Sequence, residues 1–180
     1  DIYLKNEIME VHGIGLEGLI DPRKVLNFGN SGTSIRLFMG ILAAQKFESV
    51  LTGDKSLRKR PMERVAEPLR AMGADIETNK GNLPVKIKAT NRLNNLRYRL
   101  DIPSAQIKSA ILLASLFTDG KTIIETDTET RDHTEIMLKD FSSTIEVDDK
   151  TISIVGGKIL SPEYIYVPGD LSSASFLILA

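Results

Sequence analysis

The sequence predicts an α/β fold made of repeated βαβαββ units around buried, parallel helices. An internal repeat is the first reason: SGTSIR, which starts at Ser31, is matched 73 positions later by SAQIKS at Ser104, and an apolar run follows each. A third serine-led start, SSAS at 172–175, precedes FLILA. The second reason is that helical and β-branched segments alternate after each start, which is typical of layered α/β proteins.

The two units at 29–95 and 96–160 are predicted to contain the same elements in the same order. A long apolar helix is followed by a short β-branched strand, an amphipathic helix and two strands joined by a turn. We predict these elements at 33–45, 49–52, 61–72, 74–78 and 84–88 in one unit, and at 105–117, 121–125, 133–141, 143–147 and 151–155 in the next. Further strands are predicted at 97–102 and 164–167.

The boundaries and burial of the helices follow from residue chemistry. The long helices at 33–45 and 105–117, which we call the lead helices, have little polar surface, and this predicts burial on all sides. Pro61 suits the first position of the amphipathic helix, because the N–H that proline lacks would be unpaired there anyway. Gly73 ends the same helix.

The repeat predicts one domain that is incomplete at both ends. Residues 1–28 would end one unit, 29–95 and 96–160 would form the second and third, and 161–180 would begin a further unit. The opening DIYLKNEIMEVHGIG resembles STIEVDDKTISIVGG, which is the final hairpin of a unit. We therefore expect this chain to be a piece of a larger repeat protein.

Composition excludes several classes of function. A net charge of −1 gives no reason to expect nucleic acid or an acidic membrane as a partner. The chain has no cysteine, which excludes thiol chemistry and favours the reducing cytoplasm. The apolar runs are too short to span a bilayer. His12 and His133 are too few and too isolated to predict a metal site.

The starts of the lead helices are candidates for an anion-binding site. If these helices pack in parallel, their N-termini and unpaired N–H groups face the same way. Ser104, Ala105 and Gln106 would then form the exposed mouth of a buried helix, with Lys108 one turn further in. The alternative is that each serine is only an N-cap. Gly32 would let a ligand approach the backbone, although glycine is also common in turns.

Two arginines precede the amphipathic helices of the two units. Arg60 lies in the basic stretch DKSLRKRPMERV, and Arg131 comes shortly before His133. Guanidinium groups bind phosphate and carboxylate through paired hydrogen bonds, so the two arginines are candidates for an anion clamp. A solvated basic loop is the alternative, and it suits most of the other cations in that stretch.

Five motifs resemble the EPSP synthase (3-phosphoshikimate 1-carboxyvinyltransferase) family. They are GNSGTSIRL (29–37), KRPMERVAEPLRAMGA (59–74), SAQIKSAILLA (104–114), TRDHTEIML (130–138) and PGDLSSASF (168–176). The resemblance implies a two-domain monomer, with each domain a half of an inside-out α/β barrel. It also implies transfer of enolpyruvyl from phosphoenolpyruvate to the 5-hydroxyl of shikimate 3-phosphate in aromatic amino acid biosynthesis. No metal or organic cofactor is implied.

The resemblance also implies roles for particular residues. Gly32 and Arg60 match phosphoenolpyruvate contacts: glycine leaves room for the ligand, and arginine pairs with its charge. Gln106 would lie between the two substrates and contact both. A small residue at position 32 would also leave the pocket open to glyphosate, so we expect the whole enzyme to be inhibited by that herbicide.

A second group of residues matches the shikimate 3-phosphate segment of the family. It consists of Ser104, Ala105 and Gln106, together with Thr130 and Arg131. Some relatives have serine where this chain has Ala105, so only the backbone N–H contributes there. Thr130 stands where relatives often have serine, and Arg131 would lie beside it against the phosphate.

No catalytic residue is expected within these 180 residues. The resemblance assigns proton transfer to an aspartate, a glutamate and a lysine of a second domain, so we expect the chain alone not to turn over. Two alternatives remain open at this point. One is a non-catalytic anion-binding or structural domain of the same fold. The other is the related UDP-N-acetylglucosamine 1-carboxyvinyltransferase, in which a lysine-asparagine motif and often a reactive cysteine are expected.

Overall fold

The structure is a computed structural model that describes residues 2–5, 8–141, 143–158 and 160–161. The third serine-led start and the strand predicted at 164–167 lie outside the described residues. Within the described residues the chain forms a hairpin, two four-stranded sheets and four α-helices. None of these helices is long and apolar enough to cross a membrane.

The elements alternate along the chain much as the sequence predicts. The strands are β1 (Ile2–Lys5), β2 (Ile8–Val11), β3 (Leu26–Asn27), β4 (Ser49–Thr52), β5 (Ile76–Asn79), β6 (Asn82–Ile87), β7 (Arg97–Arg99), β8 (Lys121–Glu125), β9 (Thr144–Asp148) and β10 (Thr151–Val155). The helices are α1 (Gly32–Leu42), α2 (Glu63–Ala71), α3 (Ala105–Ser115) and α4 (His133–Asp140), with a short 3-10 turn at Leu57–Lys59.

The two sheets have the same topology. The first has the strand order β3-β4-β6-β5 and the second has the order β7-β8-β10-β9. In each sheet the first pair is parallel and the other two pairs are antiparallel. Each unit therefore runs βαβαββ, as predicted. Strand β3 occupies the position that β7 has in the second sheet, and it lies just before the boundary that the sequence suggests at residue 29.

Helices α1 and α3 pack side by side and run in the same direction. Arg36 of α1 is bonded to Gln106 of α3, and four residues further along both helices Gly40 lies against Ala110. A β-carbon on Gly40 would lie 2.2 Å from the carbonyl oxygen of Ala110, so only glycine permits this approach. The apolar character of α3 is explained by its position, because all residues from Ile107 to Ser115 are buried. Burial on all sides is wrong for α1, which is buried on one side only and leaves Phe38 44% exposed.

The start of α2 differs from the sequence-based prediction. The helix begins at Glu63, so Pro61 is not its first residue. The backbone N–H groups of Met62 and Glu63 both donate to the carbonyl oxygen of Gly81, at 2.8 and 3.1 Å. The carbonyl oxygen of Pro61 accepts from Arg36 at 3.0 Å. These bonds to Gly81 and Arg36 hold residues 61 and 62 outside the helix. Neither partner is close in sequence, so the local sequence pattern does not predict them.

A buried ion pair connects α3 to α4. The ammonium of Lys108 contacts Oε1 of Glu135, and the two side chains are only 3% and 4% exposed. The neighbouring hydroxyls of Ser109 and Thr134 lie 2.7 Å apart and share a hydrogen bond. Lys108 in the apolar helix is therefore explained by a partner on the next helix, because a buried charge requires one.

We predict that Gly40→Ala destabilises the chain. The new β-carbon would collide with backbone rather than with a flexible side chain, so α1 and α3 must separate. The free energy of unfolding, measured by urea denaturation, should fall by about 1–3 kcal/mol. Gly13→Ala is the matched control, because no atom lies within 4 Å of its new β-carbon. A Gly40→Ala chain as stable as the wild type would refute the close contact.

We also predict that Lys108→Met is much more harmful than loss of an exposed lysine. The substitution leaves Glu135 buried without its cation, and the free energy of unfolding should fall by about 3–5 kcal/mol. Replacing the whole pair, as Lys108→Met with Glu135→Leu, should recover most of that loss. Lys46→Met removes an exposed pair with Glu17 and should cost less than about 1 kcal/mol. Equal losses from Lys108→Met and Lys46→Met would contradict this account.

Candidate functional site

The parallel packing of α1 and α3 brings their N-termini together. Ser31 caps α1 by accepting from the N–H of Ser34 at 3.2 Å, and Ser104 caps α3 by accepting from the N–H of Ile107 at 3.4 Å. Both helices therefore present the positive end of the dipole, and the N–H groups that the caps leave over, at the same edge of the fold. Both serines are therefore N-caps. They also lie beside the same pair of helix N-termini, where an anion is favoured.

A cavity of about 160 Å³ opens beside these helix ends. Its walls come from α1, α3 and the start of α4, and the lining residues are Thr33, Leu37, Ala105, Gln106, Ser109, Arg131, His133 and Thr134. Three of the predicted site residues, Ala105, Gln106 and Arg131, thus lie around one cavity. We call this the helix-end cavity.

Gly32 and Arg60 are also brought together, although they belong to different segments. A β-carbon on Gly32 would lie 2.4 Å from Nη1 of Arg60 and 3.3 Å from Nη1 of Arg36. The Arg60 guanidinium therefore lies directly over the first turn of α1, where a larger residue would push it away. The family resemblance implies that both residues contact phosphoenolpyruvate, and that role stays a prediction.

A chain of hydrogen bonds joins this arginine region to the helix-end cavity. Arg36 Nη1 donates to Gln106 Oε1 at 2.6 Å, and Gln106 Nε2 donates to Thr33 Oγ1 at 2.7 Å. Arg36 Nη2 donates to the carbonyl oxygen of Pro61, the residue after Arg60. Gln106 therefore lies between the cavity on one side and the arginines on the other.

The electrostatics of this region favour an anion. Burial lowers the pKa of Arg36, and the positive charges of Arg60 and Arg64 lower that pKa further. Among the ion pairs of the described residues, none involves Arg36, Arg60, Arg64 or Arg131. Several cations thus lie close together outside any ion pair, with Asp54 near Arg60, and this excess of positive charge attracts negatively charged ligands.

Thr130 lies apart from its neighbour Arg131. It lines a second cavity, of about 490 Å³, together with Lys108 and Glu135. Its hydroxyl oxygen is buried and, like Oε2 of Glu135, has no hydrogen-bond partner among the described residues. Arg131 and Thr130 therefore face different cavities in this structure, and a shared role for them at one phosphate stays a prediction.

Three residues of the site escaped the sequence analysis. Arg36 and Thr33 are in α1, and His133, which the sequence analysis considered only as a metal ligand, lines the helix-end cavity. The spacing could have indicated Arg36 as a site residue, since it follows Gly32 by four residues and so lies on the same side of the helix. Its hydrogen bond to Gln106 could not be predicted from local sequence, because the two residues are 70 positions apart.

The opposite end of the lead helices carries another cavity, of about 400 Å³, lined by residues that include Leu16, Phe47, Leu93 and Phe117. None of the predicted site residues lines it. This end holds the negative ends of the α1 and α3 dipoles, which disfavours an anion. The helix-end cavity is therefore the better candidate for the site suggested by the sequence.

Comparisons with known proteins agree with the predicted fold. A structure of EPSP synthase from Acinetobacter baumannii matches 99% of this chain with a TM-score of 0.92 and 49% sequence identity. The match covers 41% of that protein. The EPSP synthase-like α/β fold predicted from the sequence is confirmed by this similarity.

Two curated relatives carry the name 3-phosphoshikimate 1-carboxyvinyltransferase. The protein from Ruthia magnifica subsp. Calyptogena magnifica is 54% identical over 94% of this chain and 39% of its own length. The protein from Lactococcus lactis subsp. lactis is 48% identical over 98% of this chain and 41% of its own length. The chain therefore spans about two fifths of the length of these relatives.

The family model described as EPSP synthase (3-phosphoshikimate 1-carboxyvinyltransferase) matches residues 2–180. This match includes every motif on which the resemblance was based. It also covers Gly32, Arg60, Gln106 and Arg131, which the fold brings to the mouths of α1 and α3. By sequence and by fold, this chain belongs to the EPSP synthase family.

Proposed function

We propose that this chain forms part of an enzyme that transfers enolpyruvyl from phosphoenolpyruvate to the 5-hydroxyl of shikimate 3-phosphate. Within it, the chain carries half of the binding site for each substrate. The observation that supports this most strongly is the position of Gln106. It joins the helix-end cavity to the Gly32–Arg60 contact through Arg36.

Phosphoenolpyruvate would bind against the arginines at Gly32. It carries a carboxylate and a phosphate, so it needs several cations and room beside them. Arg60 lies over Gly32, and Arg36 and Arg64 add positive charge nearby. The absence of a side chain at position 32 lets the Arg60 guanidinium lie against the first turn of α1, where it would meet the ligand.

Shikimate 3-phosphate would bind in the helix-end cavity. The N-terminus of α3, at Ser104 and Ala105, suits its phosphate, because helix N-termini favour anions. Arg131 supplies a cation to the same cavity, and Gln106 lies towards the other substrate. Thr130 would add a further contact to the phosphate, although its side chain lines the second cavity in this structure.

The contribution of these residues to the reaction is positioning and charge stabilisation. A carbon–oxygen bond forms between C2 of phosphoenolpyruvate and the 5-hydroxyl, while C3 gains a proton and the hydroxyl loses one. C3 then loses a proton and the bond from C2 to the phosphate oxygen breaks, so that phosphate leaves as the double bond between C2 and C3 is restored. Held by α1 and α3, the two substrates would be oriented for that attack. The arginines would stabilise the charge of the departing phosphate.

We further propose that the 180 residues bind the substrates without turnover. The support is the family resemblance, which assigns proton transfer to residues of a second domain. A cytoplasmic, monomeric whole enzyme without a metal or organic cofactor stays a prediction. The second candidate function, a general anion-binding domain, is favoured by one observation: the site is built from helix ends and arginines, which attract any anion.

Isothermal titration calorimetry of this chain distinguishes the two functions. Shikimate 3-phosphate should bind at least tenfold more tightly than inorganic phosphate or unphosphorylated shikimate, because phosphate and ring are recognised together. Arg131→Ala should weaken that binding about tenfold or more, since a charge-assisted bond contributes about 1.5–3 kcal/mol.

Arg23→Ala is the control, because it removes an exposed arginine that lines none of the cavities described above. It should leave the affinity unchanged. Equal affinity for shikimate 3-phosphate and inorganic phosphate would favour the general anion-binding domain. No binding of any of the three would contradict a half-site within this chain.

A further inference from the structure

We propose that Arg36 is a positioning residue that fixes the orientation of the Gln106 carboxamide, so that Gln106 serves as a hydrogen-bond donor to the bound substrate. The inference rests on the proposed function for the identity of that substrate. It assigns Arg36 a role that the sequence motifs did not indicate. Four contacts in the described residues carry it.

The orientation of the carboxamide follows from the chemistry of its two neighbours. A guanidinium group has only hydrogen-bond donors, so the atom that faces Arg36 Nη1 at 2.6 Å must be the amide oxygen. The amide nitrogen then faces Thr33 Oγ1 at 2.7 Å, and threonine can accept that bond. Arg36 thereby removes the usual ambiguity between the two ends of an amide.

One hydrogen of Gln106 Nε2 remains available after the bond to Thr33. Gln106 and Thr33 both line the helix-end cavity, so this hydrogen is presented on the cavity side of the network. The oxygen, by contrast, faces Arg36. A ligand atom that contacts Gln106 Nε2 must therefore be an acceptor, such as a phosphate oxygen.

A second bond from Arg36 positions Arg60. Arg36 Nη2 donates to the carbonyl oxygen of Pro61 at 3.0 Å, which ties the segment after Arg60 to α1. Arg60 itself lies over Gly32, close to Arg36. The guanidinium of Arg36 thus holds both Gln106 and the Arg60 segment, which are expected to contact different substrates.

The position of Arg36 is electrostatically unfavourable. Burial and the nearby charges of Arg60 and Arg64 lower its pKa, which means that its charged form is destabilised there. The hydrogen bonds that its guanidinium donates to Gln106 and to the carbonyl oxygen of Pro61 offset that penalty.

The test compares Arg36→Met with Arg36→Lys, Gln106→Glu and Arg64→Met by calorimetry with shikimate 3-phosphate. Arg36→Met should weaken binding about tenfold, and the loss should persist at high salt because it is geometric. Arg36→Lys should restore part of the affinity, since an ammonium can still donate to Gln106. Gln106→Glu should weaken binding at least as much as Arg36→Met, because a carboxylate cannot donate a hydrogen bond to the substrate.

Arg64→Met is the charge control. It removes a nearby positive charge, and the Arg64 side chain makes no hydrogen bond or ion pair with another described residue. Its effect on affinity should shrink as salt rises, because screening weakens interactions between exposed charges. If Arg36→Met and Arg64→Met lost the same affinity, with the same dependence on salt, Arg36 would act through charge alone and the proposal would fail.

A ligand-free readout separates this proposal from the proposed function. In the NMR spectrum of the free chain, the two side-chain amide protons of Gln106 should give distinct signals with a contact to Thr33. In Arg36→Met these signals should move towards the values of a mobile glutamine, while Arg64→Met leaves them unchanged. Unchanged signals in Arg36→Met overturn the inference. If the signals change but shikimate 3-phosphate binds to no variant, the positioning role stands and the proposed function fails.

Discussion

The contact between the backbones of α1 and α3 determines where the rest of the site lies. Gly40 lets α1 approach the carbonyl oxygen of Ala110, and the two helices then run in parallel with their N-termini at the same level. Two helix ends with positive dipoles become neighbours as a result. A larger residue at position 40 would separate the helices, and the bonds that join Gln106 to α1 would be lost with them.

The charged residues of this domain occupy two different electrostatic environments. Inside the fold, Lys108 and Glu135 form a buried pair that joins α3 to α4, so neither charge is left uncompensated. At the helix ends, Arg36 is repelled by Arg60 and Arg64, and none of the three arginines forms an ion pair with a described carboxylate, although Asp54 is close enough for Arg60 to lower its pKa. The first arrangement stabilises the domain, whereas the second costs stability and suits an anionic ligand.

Local sequence patterns predicted the elements but not the contacts between them. The β-branched runs placed β4 and β8 at the residues where they are observed, and the serine starts placed α1 and α3 within three residues at either end. The predicted start of α2 at residue 61 was wrong, because the carbonyl oxygen of Pro61 accepts a hydrogen bond from Arg36, 25 residues away. The pairing of Lys108 with Glu135 and the link from Arg36 to Gln106 also depend on folding, although Gly32, Arg60, Gln106 and Arg131 were found through motifs.

The most direct test of the account is a backbone amide map of this chain by heteronuclear NMR during titration with shikimate 3-phosphate. The account predicts the largest shifts at the first turns of α1 and α3 and at Arg131, with little change at the far end of the helices around Phe47 and Phe117. Shifts concentrated at that far end, or none at saturating ligand, would contradict the central claim that the parallel helix ends form an anion half-site.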